Sequence, residues 1–304
     1  MLRTLLGYGL VVPLTLSATH NNGGEILYEH LSGTSYLIRI RTYTDVSSPA
    51  DRPYLTLLDG DTVPRTSIQF YPGNECGEIQ RNEYTIERTF PGPGTYLLEV
   101  EDPNRSSALM NISNADQEAL FLQAVLVIDP MLGPNTSAVF TSTPLDVSWQ
   151  WGVLHHDLAA WDADGDSLSY ELVPSVGTGG QLIVGYLYPH EIVPGPNNWS
   201  WVDADGVFHW DRPQVAGRYN ISIRCSEWRN GMLIGQTTRD MDLCAAPQLI
   251  LSVPDHATAA GLEIRILDFP GSYRLVADDL IGNEQVQVVA GHGGVVHQEA
   301  LRTD

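Results

Sequence analysis

The sequence predicts an all-β protein: tandem immunoglobulin-like antiparallel β-sandwiches followed by a small C-terminal β-domain. Residues 36–42 alternate apolar and charged side chains with the period of two that is typical of a half-buried strand. The pattern Gly-x-Tyr-x-apolar-x-apolar begins at Gly94 and begins again 123 residues later at Gly217. No segment has the pattern of a long helix, because residues 116–124 run directly into an apolar stretch and are better explained as a loop entering a strand.

The first eighteen residues are typical of an export signal. Arg3 is the only charge, the apolar run over residues 5–16 contains Pro13, and small residues follow it. The run is shorter than the roughly twenty residues that a membrane helix needs. We therefore expect residues 1–18 to be a signal peptide and the mature protein to be secreted or held on the outer cell surface.

The repeated Gly-x-Tyr pattern divides the rest of the chain. Its offset is close to the length of one immunoglobulin-like sandwich, in which a tyrosine at the start of a late strand pins a corner. We predict a first sandwich over residues 19–128, a second over residues 129–245 and a smaller β-domain over residues 246–304. The first two are expected to fold separately, with prolines 130 and 134 at their joint.

Composition excludes several function classes. The sixteen basic residues are all arginine, so a P-loop lysine, Schiff-base chemistry and a lysine general base are absent. The 37 acidic residues give a net charge of -21, which opposes binding to nucleic acid and to anionic membranes. The expected partners are cations, surface glycans or other proteins, with no nucleic acid and no membrane insertion.

Three carboxylates within five residues suggest a calcium site in the second sandwich. Calcium takes six to eight oxygen ligands, and aspartates spaced two apart around a glycine can converge on one ion. A tight Asp-Gly turn explains the same residues equally well. The predicted ligands are Asp162, Asp164 and Asp166, joined by a fourth carboxylate from Asp203 or Asp205.

Seven tryptophans lie between residues 149 and 228, and four of them form two doublets. In Trp149 with Trp151, and in Trp199 with Trp201, both rings lie on one strand face. Such a row can stack sugars or fill a sandwich core. Core packing is favoured, and exposure of a doublet would favour glycan binding.

Three cysteines permit at most one internal disulfide in an exported chain. Cys225 and Cys244 are the nearest pair. However, a two-residue turn at residues 230–231 would place Cys225 opposite Gln236, which leaves the pairing open. Cys76 would be the odd thiol if the nearest pair forms.

The sequence contains no recognisable catalytic motif, and we predict that the protein is not an enzyme. There is no Gly-x-Ser-x-Gly elbow and no His-Glu-x-x-His motif. His155, His156 and Asp157 are consecutive, so on a strand their side chains would alternate between the two faces and could not easily share one ion. We favour a solvated loop for these residues.

A set of short motifs resembles the modules of large exported Bacteroidota surface proteins, which are described as gliding-motility-associated or PKD- and cadherin-like. The resemblance extends over residues 19–244. Its motifs include residues 23–26, 91–96, 162–172, 208–213 and 227–231.

The tail resembles the type IX secretion sorting domain of the same phylum. Residues 253–257 stand where such domains carry a Pro-Asn-Pro-Ala element, and residues 279–282 match their internal turn. The final Gly-x-Tyr-x-Leu strand of that domain is missing, and an incomplete third sandwich is the alternative. The resemblance implies a contact between the tail and the secretion machinery.

Together these features predict a non-catalytic exported cell-surface or secreted protein that acts as an adhesion or structural module, with a calcium-stabilised sandwich. The alternative is a carbohydrate-binding module, or the accessory part of a secreted glycan hydrolase.

Overall fold

The structure is a computed structural model that describes residues 21–48, 51–74, 77–144, 147–149, 152–247, 249–251, 263–269, 272–278, 284–290 and 295–301. The expected signal peptide lies outside these residues. The described chain consists of β-strands with three short 3-10 turns at Ala115–Gln117, Thr178–Gly180 and Pro189–Glu191. Almost all strand pairs are antiparallel, which confirms the predicted all-β class.

The described part of the chain before residue 129 contains seven strands. The second confirms the alternation seen in the sequence, since Tyr36, Ile38 and Ile40 are buried and Arg39 and Arg41 lie on the other face. The strands are β1 (Asn21–Ser32), β2 (Ser35–Asp45), β3 (Tyr54–Thr56), β4 (Thr62–Asn74), β5 (Gly77–Thr89), β6 (Gly94–Asp102) and β7 (Leu120–Ile128).

Nine strands are described between residues 129 and 247, and the last two form a long hairpin around the turn at Asn230 and Gly231. They are β8 (Val139–Phe140), β9 (Val147–Trp149), β10 (Val153–Asp157), β11 (Ala160–Trp161), β12 (Ser167–Val173), β13 (Trp199–Val202), β14 (Val207–Asp211), β15 (Gly217–Arg229) and β16 (Met232–Ala246).

One sheet passes through both halves of the chain. Its order is β12-β15-β16-β1-β2-β5-β4-β3, and β7 and β9 also pair with β16. One edge of β16 faces β15, while its other edge is shared by β7, β1 and β9 in succession. Gly23 lies where β1 meets β16, with φ of +142°, and a Cβ atom there would collide with the carbonyl oxygen of Asp240.

The apolar core is nevertheless divided in two. One cluster of buried side chains comes from residues 26–128, and Tyr96 packs against it. The other comes from residues 138–245 and contains Tyr219. The second cluster lies between β15 and β16 and a separate three-stranded sheet of order β10-β14-β13.

Both repeated tyrosines pin a corner, as predicted. The hydroxyl of Tyr96 donates to the carbonyl oxygen of Gly92 at 2.7 Å, and the hydroxyl of Tyr219 donates to that of Val215 at the same distance. Each bond joins the tyrosine near the start of a strand to a carbonyl four residues earlier. It therefore fixes the segment that leads into the strand. The sequence repeat therefore corresponds to a repeated structural device.

Two buried ion pairs join the halves. Arg239 on β16 donates to the carboxylate of Glu25 on β1 at 2.9 and 3.1 Å, and both side chains are fully buried. Arg105, which follows β6, forms two 2.8 Å bonds with the carboxylate of Asp240 on β16. The two cores are thus linked by paired charges as well as by shared strands.

Cys225 does not pair with Cys244, the pairing that the sequence left open. Cys225 is a free, buried thiol, whereas Cys244 is disulfide-bonded. Cys225 lies opposite Thr237 and not opposite Gln236, because a β-bulge beside Glu227 shifts the register by one residue. Cys76 lies outside the described residues.

Among the described residues, five short strands follow residue 246. They form a three-stranded sheet of order β17-β20-β21 and a two-stranded sheet of β18 and β19. The sorting-like elements at residues 253–257 and 279–282 lie outside the described residues. No helix among the described residues has the length and apolar character needed to cross a bilayer. The strands are β17 (Leu249–Leu251), β18 (Glu263–Phe269), β19 (Ser272–Asp278), β20 (Glu284–Ala290) and β21 (Val295–Leu301).

Candidate cation site and aromatic face

The loop between β11 and β12 folds around the side chain of Asp162. Its Oδ1 atom accepts the backbone N–H groups of Asp164 at 3.0 Å and Asp166 at 2.8 Å. Gly165 has a φ of +79°, which closes the turn. The loop is therefore the tight Asp-Gly turn that was the alternative explanation of these residues. The turn nevertheless brings the carboxylates of Asp162 and Asp166 together.

A third element completes the carboxylate cluster. Oxygens of Asp162, Asp166 and Glu227 all lie within 4.8 Å of one another. Glu227 is fully buried near the end of β15, whereas the two aspartates are half-buried. Because β12 pairs with β15, the loop that precedes β12 lies beside the end of β15 where Glu227 stands.

Glu227 is held from the linker between the two cores. One oxygen accepts the backbone N–H of Ala138 at 2.8 Å, and the other accepts the side-chain amide of Asn135. The pKa of Glu227 is raised to about 7, chiefly by burial and in smaller part by the neighbouring Asp162 and Asp166, and these two donors lower it only in part. Gly235 leaves the space for this carboxylate, since a Cβ atom there would overlap it.

Asp162 has an unsatisfied atom that faces inward. Its Oδ2 is buried and has no hydrogen-bond partner among the described residues. Desolvation raises the pKa of Asp162, and the carboxylates of Asp166 and Asp164 add to the effect. A buried acceptor without a donor is costly, and a cation would satisfy it.

Arg229 supplies part of the counter-charge. Its guanidinium donates to both oxygens of Asp166 at 2.7 Å and lies 3.5 Å from the carboxylate of Asp164. Asp164 also accepts the backbone N–H of Thr136 at 2.7 Å. Four carboxylates, including Glu227, therefore face one guanidinium in this region.

The donor set fits a hard divalent cation. Calcium prefers oxygen ligands, and waters commonly complete a shell to which the protein contributes only part. Asp162, Asp166 and Glu227 supply three carboxylates, and a divalent charge would offset the excess that Arg229 leaves. The described residues provide no sulfur or imidazole ligand in this cluster.

Asp203 and Asp205 do not supply the additional carboxylate. They form a second turn of the same kind, in which Asp203 accepts the backbone N–H groups of Asp205 at 3.0 Å and Val207 at 2.9 Å. This turn joins β13 to β14 and is not part of the cluster. Sequence reasoning missed Glu227, although it stands in the quoted 227–231 motif and, two residues before Arg229, lies on the same strand face.

The Trp199 and Trp201 doublet is exposed. These side chains on β13 are 61% and 41% exposed, while Ser200 between them is buried. The ring of Trp201 stacks on that of His209 with centroids 4.8 Å apart and an interplanar angle of 11°. Core packing is therefore wrong for this doublet.

Other tryptophans behave differently. Trp210 is fully buried and packs edge-on against Tyr219, with centroids 4.7 Å apart, so its ring does belong to the core. Trp149 lies on β9, but its side chain is outside the described part of the chain, as is all of Trp151. The first doublet stays a prediction.

Comparison with protein-family models, curated proteins and solved structures finds no match to this chain.

Proposed function

We propose that this protein is a non-catalytic exported module, secreted or held on the cell surface, that serves adhesion or extends other domains from the cell. Its architecture in this proposal is two tandem immunoglobulin-like, PKD- or cadherin-like sandwiches and a small C-terminal domain, as in the resembled Bacteroidota proteins. The observation that carries the proposal is the cluster of Asp162, Asp166 and Glu227 beside the linker between the two cores.

Calcium at this cluster would fix the linker. Asn135 donates to Glu227 and also to the hydroxyl of Tyr28 at 3.2 Å, so the cluster is bonded to β1 of the first half. Ser137 and Tyr28 exchange two further bonds, at 2.8 and 3.0 Å. A cation that orders Glu227 would therefore make the contact between the linker and β1 more rigid. An extended surface protein would transmit mechanical force through this contact.

Thermal unfolding of the full chain in calcium and in chelator tests the site. With calcium a hundredfold above its dissociation constant, linkage predicts a gain of roughly 2.7 kcal/mol, seen as a rise of several degrees in Tm. Asp162→Asn and Glu227→Gln should each abolish most of the calcium-dependent rise. Glu227→Gln keeps the size of the side chain and removes its charge, but the glutamine has one acceptor oxygen for the two donors, Ala138 and Asn135, that the carboxylate accepts.

Asp203→Asn is the matched control, because Asp203 occupies the same position in its own Asp-Ala-Asp-Gly turn and lies outside the cluster. It should change Tm equally in calcium and in chelator. Coincident melting curves for the unmutated protein would reduce the 162–166 loop to a structural turn.

The exposed Trp199 and Trp201 pair favours carbohydrate binding as a second function. Two rings on one strand face offer a flat apolar surface on which sugar rings can stack. A glycan array probed with the full chain and with Trp199→Ala and Trp201→Ala tests it. Loss of a common set of hits in both variants supports the function, whereas an unmutated protein without hits contradicts it.

Export rests on residues 1–18 and on the tail over residues 246–304. We expect secreted material to lack the first eighteen residues, and we expect secretion to depend on the tail through the secretion machinery. Mass spectrometry of exported protein checks the first expectation. Export that survives deletion of residues 246–304 would contradict the sorting role of the tail.

A further inference from the structure

Two histidines face each other on the outer surface of the small sheet. His155 on β10 is directly opposite His209 on β14 in the strand register. Their Nδ1 atoms are 2.7 Å apart, and their rings meet nearly at right angles. His156 points the other way and is buried, so the two consecutive histidines lie on opposite faces of β10 and not in the solvated loop that we expected. The imidazole that faces His155 comes instead from the neighbouring strand, β14.

The other side of His209 is bound to a carboxylate. Its Nε2 lies 2.7 Å from Oδ2 of Asp203, while Oδ1 of Asp203 is occupied by the backbone bonds of its own turn. The hydrogen bond from His209 lowers the pKa of Asp203. A fixed carboxylate places the proton of His209 on Nε2 and leaves the Nδ1 lone pair facing His155.

We propose that His155 and His209 together bind a divalent transition-metal ion of the Cu²⁺, Ni²⁺ or Zn²⁺ class through their Nδ1 atoms. Imidazole nitrogen suits these ions, and a carboxylate behind a metal-binding histidine is the usual supporting contact. Two protein ligands leave the remaining positions to water.

Metal binding requires one proton to move and releases none from the pair. In the metal-free neutral pair, His155 donates its Nδ1 proton to the Nδ1 lone pair of His209. On binding, the proton of His155 moves through solvent to its own Nε2, both Nδ1 lone pairs turn to the ion, and His209 keeps its Nε2 proton on Asp203. No oxidant or reductant is required.

The strands that carry the two histidines are ordered before the ion arrives, and the imidazole rings turn on that framework to bind it. Both histidines lie on paired strands, and the face of His209 is covered by Trp201. This site is independent of the carboxylate cluster, because its ligands are nitrogens and calcium prefers oxygens. Its test and the calcium test can therefore fail separately.

Trp201 makes the site measurable. Cu²⁺ bound at His209 should quench the fluorescence of the stacked Trp201 ring, and equilibrium dialysis with Cu²⁺ or Zn²⁺ should give one ion per full-length chain made without a histidine tag. His155→Ala and His209→Gln should each abolish that binding. Asp203→Asn should weaken it by roughly tenfold to a hundredfold, as expected for loss of a supporting carboxylate.

His190→Ala is the control, because His190 lies near Trp199, 6.0 Å between ring centroids, and has no part in the pair. Circular dichroism establishes that each variant is folded. Retained binding in both His155→Ala and His209→Gln would overturn the proposal, as would the absence of stoichiometric binding by the unmutated protein. A folded His190→Ala variant that no longer binds the ion would also contradict the proposal, because the ion would then bind at His190.

Discussion

At the scale of one residue, Asp242 has a raised pKa where the two halves of the chain meet. Burial raises its pKa to about 7, against the lowering effects of the bond from Ser106 and of the nearby Arg218 and Arg105. Ser106 comes from the first half and Asp242 from β16 of the second. A half-buried carboxylate lies where the two halves meet, and the partial loss of its contact with water opposes its ionisation.

The folded protein therefore holds a proton on Asp242 that the unfolded chain releases. Its folded pKa is raised, so the contribution of Asp242 to stability is present at low pH and is lost as pH rises from about 4 to about 7. Asp242→Asn should remove this dependence, with an effect of up to about 4 kcal/mol across the window. Denaturant unfolding at several pH values in chelator measures it.

Glu227 titrates in the same direction, so the variant should give a shallower slope and not a flat one. Conducting the series in chelator keeps cation binding from reversing the sign at Glu227. Parallel stability curves for Asp242→Asn and the unmutated protein would contradict the assignment.

Single residues also explain where sequence reasoning succeeded and where it failed. Asp162 and Asp166 were found because a local spacing encodes a local turn. Glu227 was not, because it is brought to them by the pairing of β12 with β15, a contact that depends on the whole sheet. The position of Cys225 was missed by one residue because a bulge has no signature in the alternation of side chains.

At the scale of strands, the two tyrosine corners allow the contribution of one corner hydrogen bond to stability to be compared at two levels of burial. Each hydroxyl makes one 2.7 Å bond four residues upstream, but Tyr219 is almost fully buried whereas Tyr96 is partly exposed. Tyr219→Phe should cost about 1–1.5 kcal/mol, because it leaves the carbonyl of Val215 without its donor. Tyr96→Phe should cost less, since water can replace the hydroxyl there.

Denaturant unfolding of the two phenylalanine variants checks this order. The substitutions are chemically identical, so the comparison isolates the effect of burial at the corner. Equal costs at the two sites, or a stabilising Tyr219→Phe, would show that the corner bond does not hold the strand.

The period-two strands and the corners could be predicted because they are properties of short segments. The sheet that runs from one half into the other could not be predicted in this way. Its contact between β1 and β16 depends on a glycine that allows two backbones to approach, and on charges 135 and 214 residues apart in sequence. The Gly-x-Tyr repeat indicates two cores and carries no information on how they are joined.

At the scale of the whole molecule, the buried pair of Arg105 and Asp240 should be a point of weakness when broken. Removing one partner of a buried pair leaves an uncompensated charge, at a cost of about 3–5 kcal/mol. Arg105→Gln should therefore strongly destabilise the protein in denaturant unfolding. Arg224→Gln is the control, because the Arg224 and Glu171 pair is exposed and its loss should cost less than about 1 kcal/mol. Similar costs for both would contradict a central role for the buried pair.

The two cores should unfold as one cooperative unit. β16 completes its second edge with β7 and β1 from the first half, and Arg239 is fully buried against Glu25. A chain restricted to residues 129–246 exposes that edge and leaves the guanidinium of Arg239 without its carboxylate. We expect this fragment to be far less stable than the same residues in the full protein. Calorimetry of the full chain should show one transition for residues 21–246, and Glu25→Gln should lower the stability of both cores together. Two independent transitions, or a fragment as stable as the intact protein, would show that the two halves are merely adjacent.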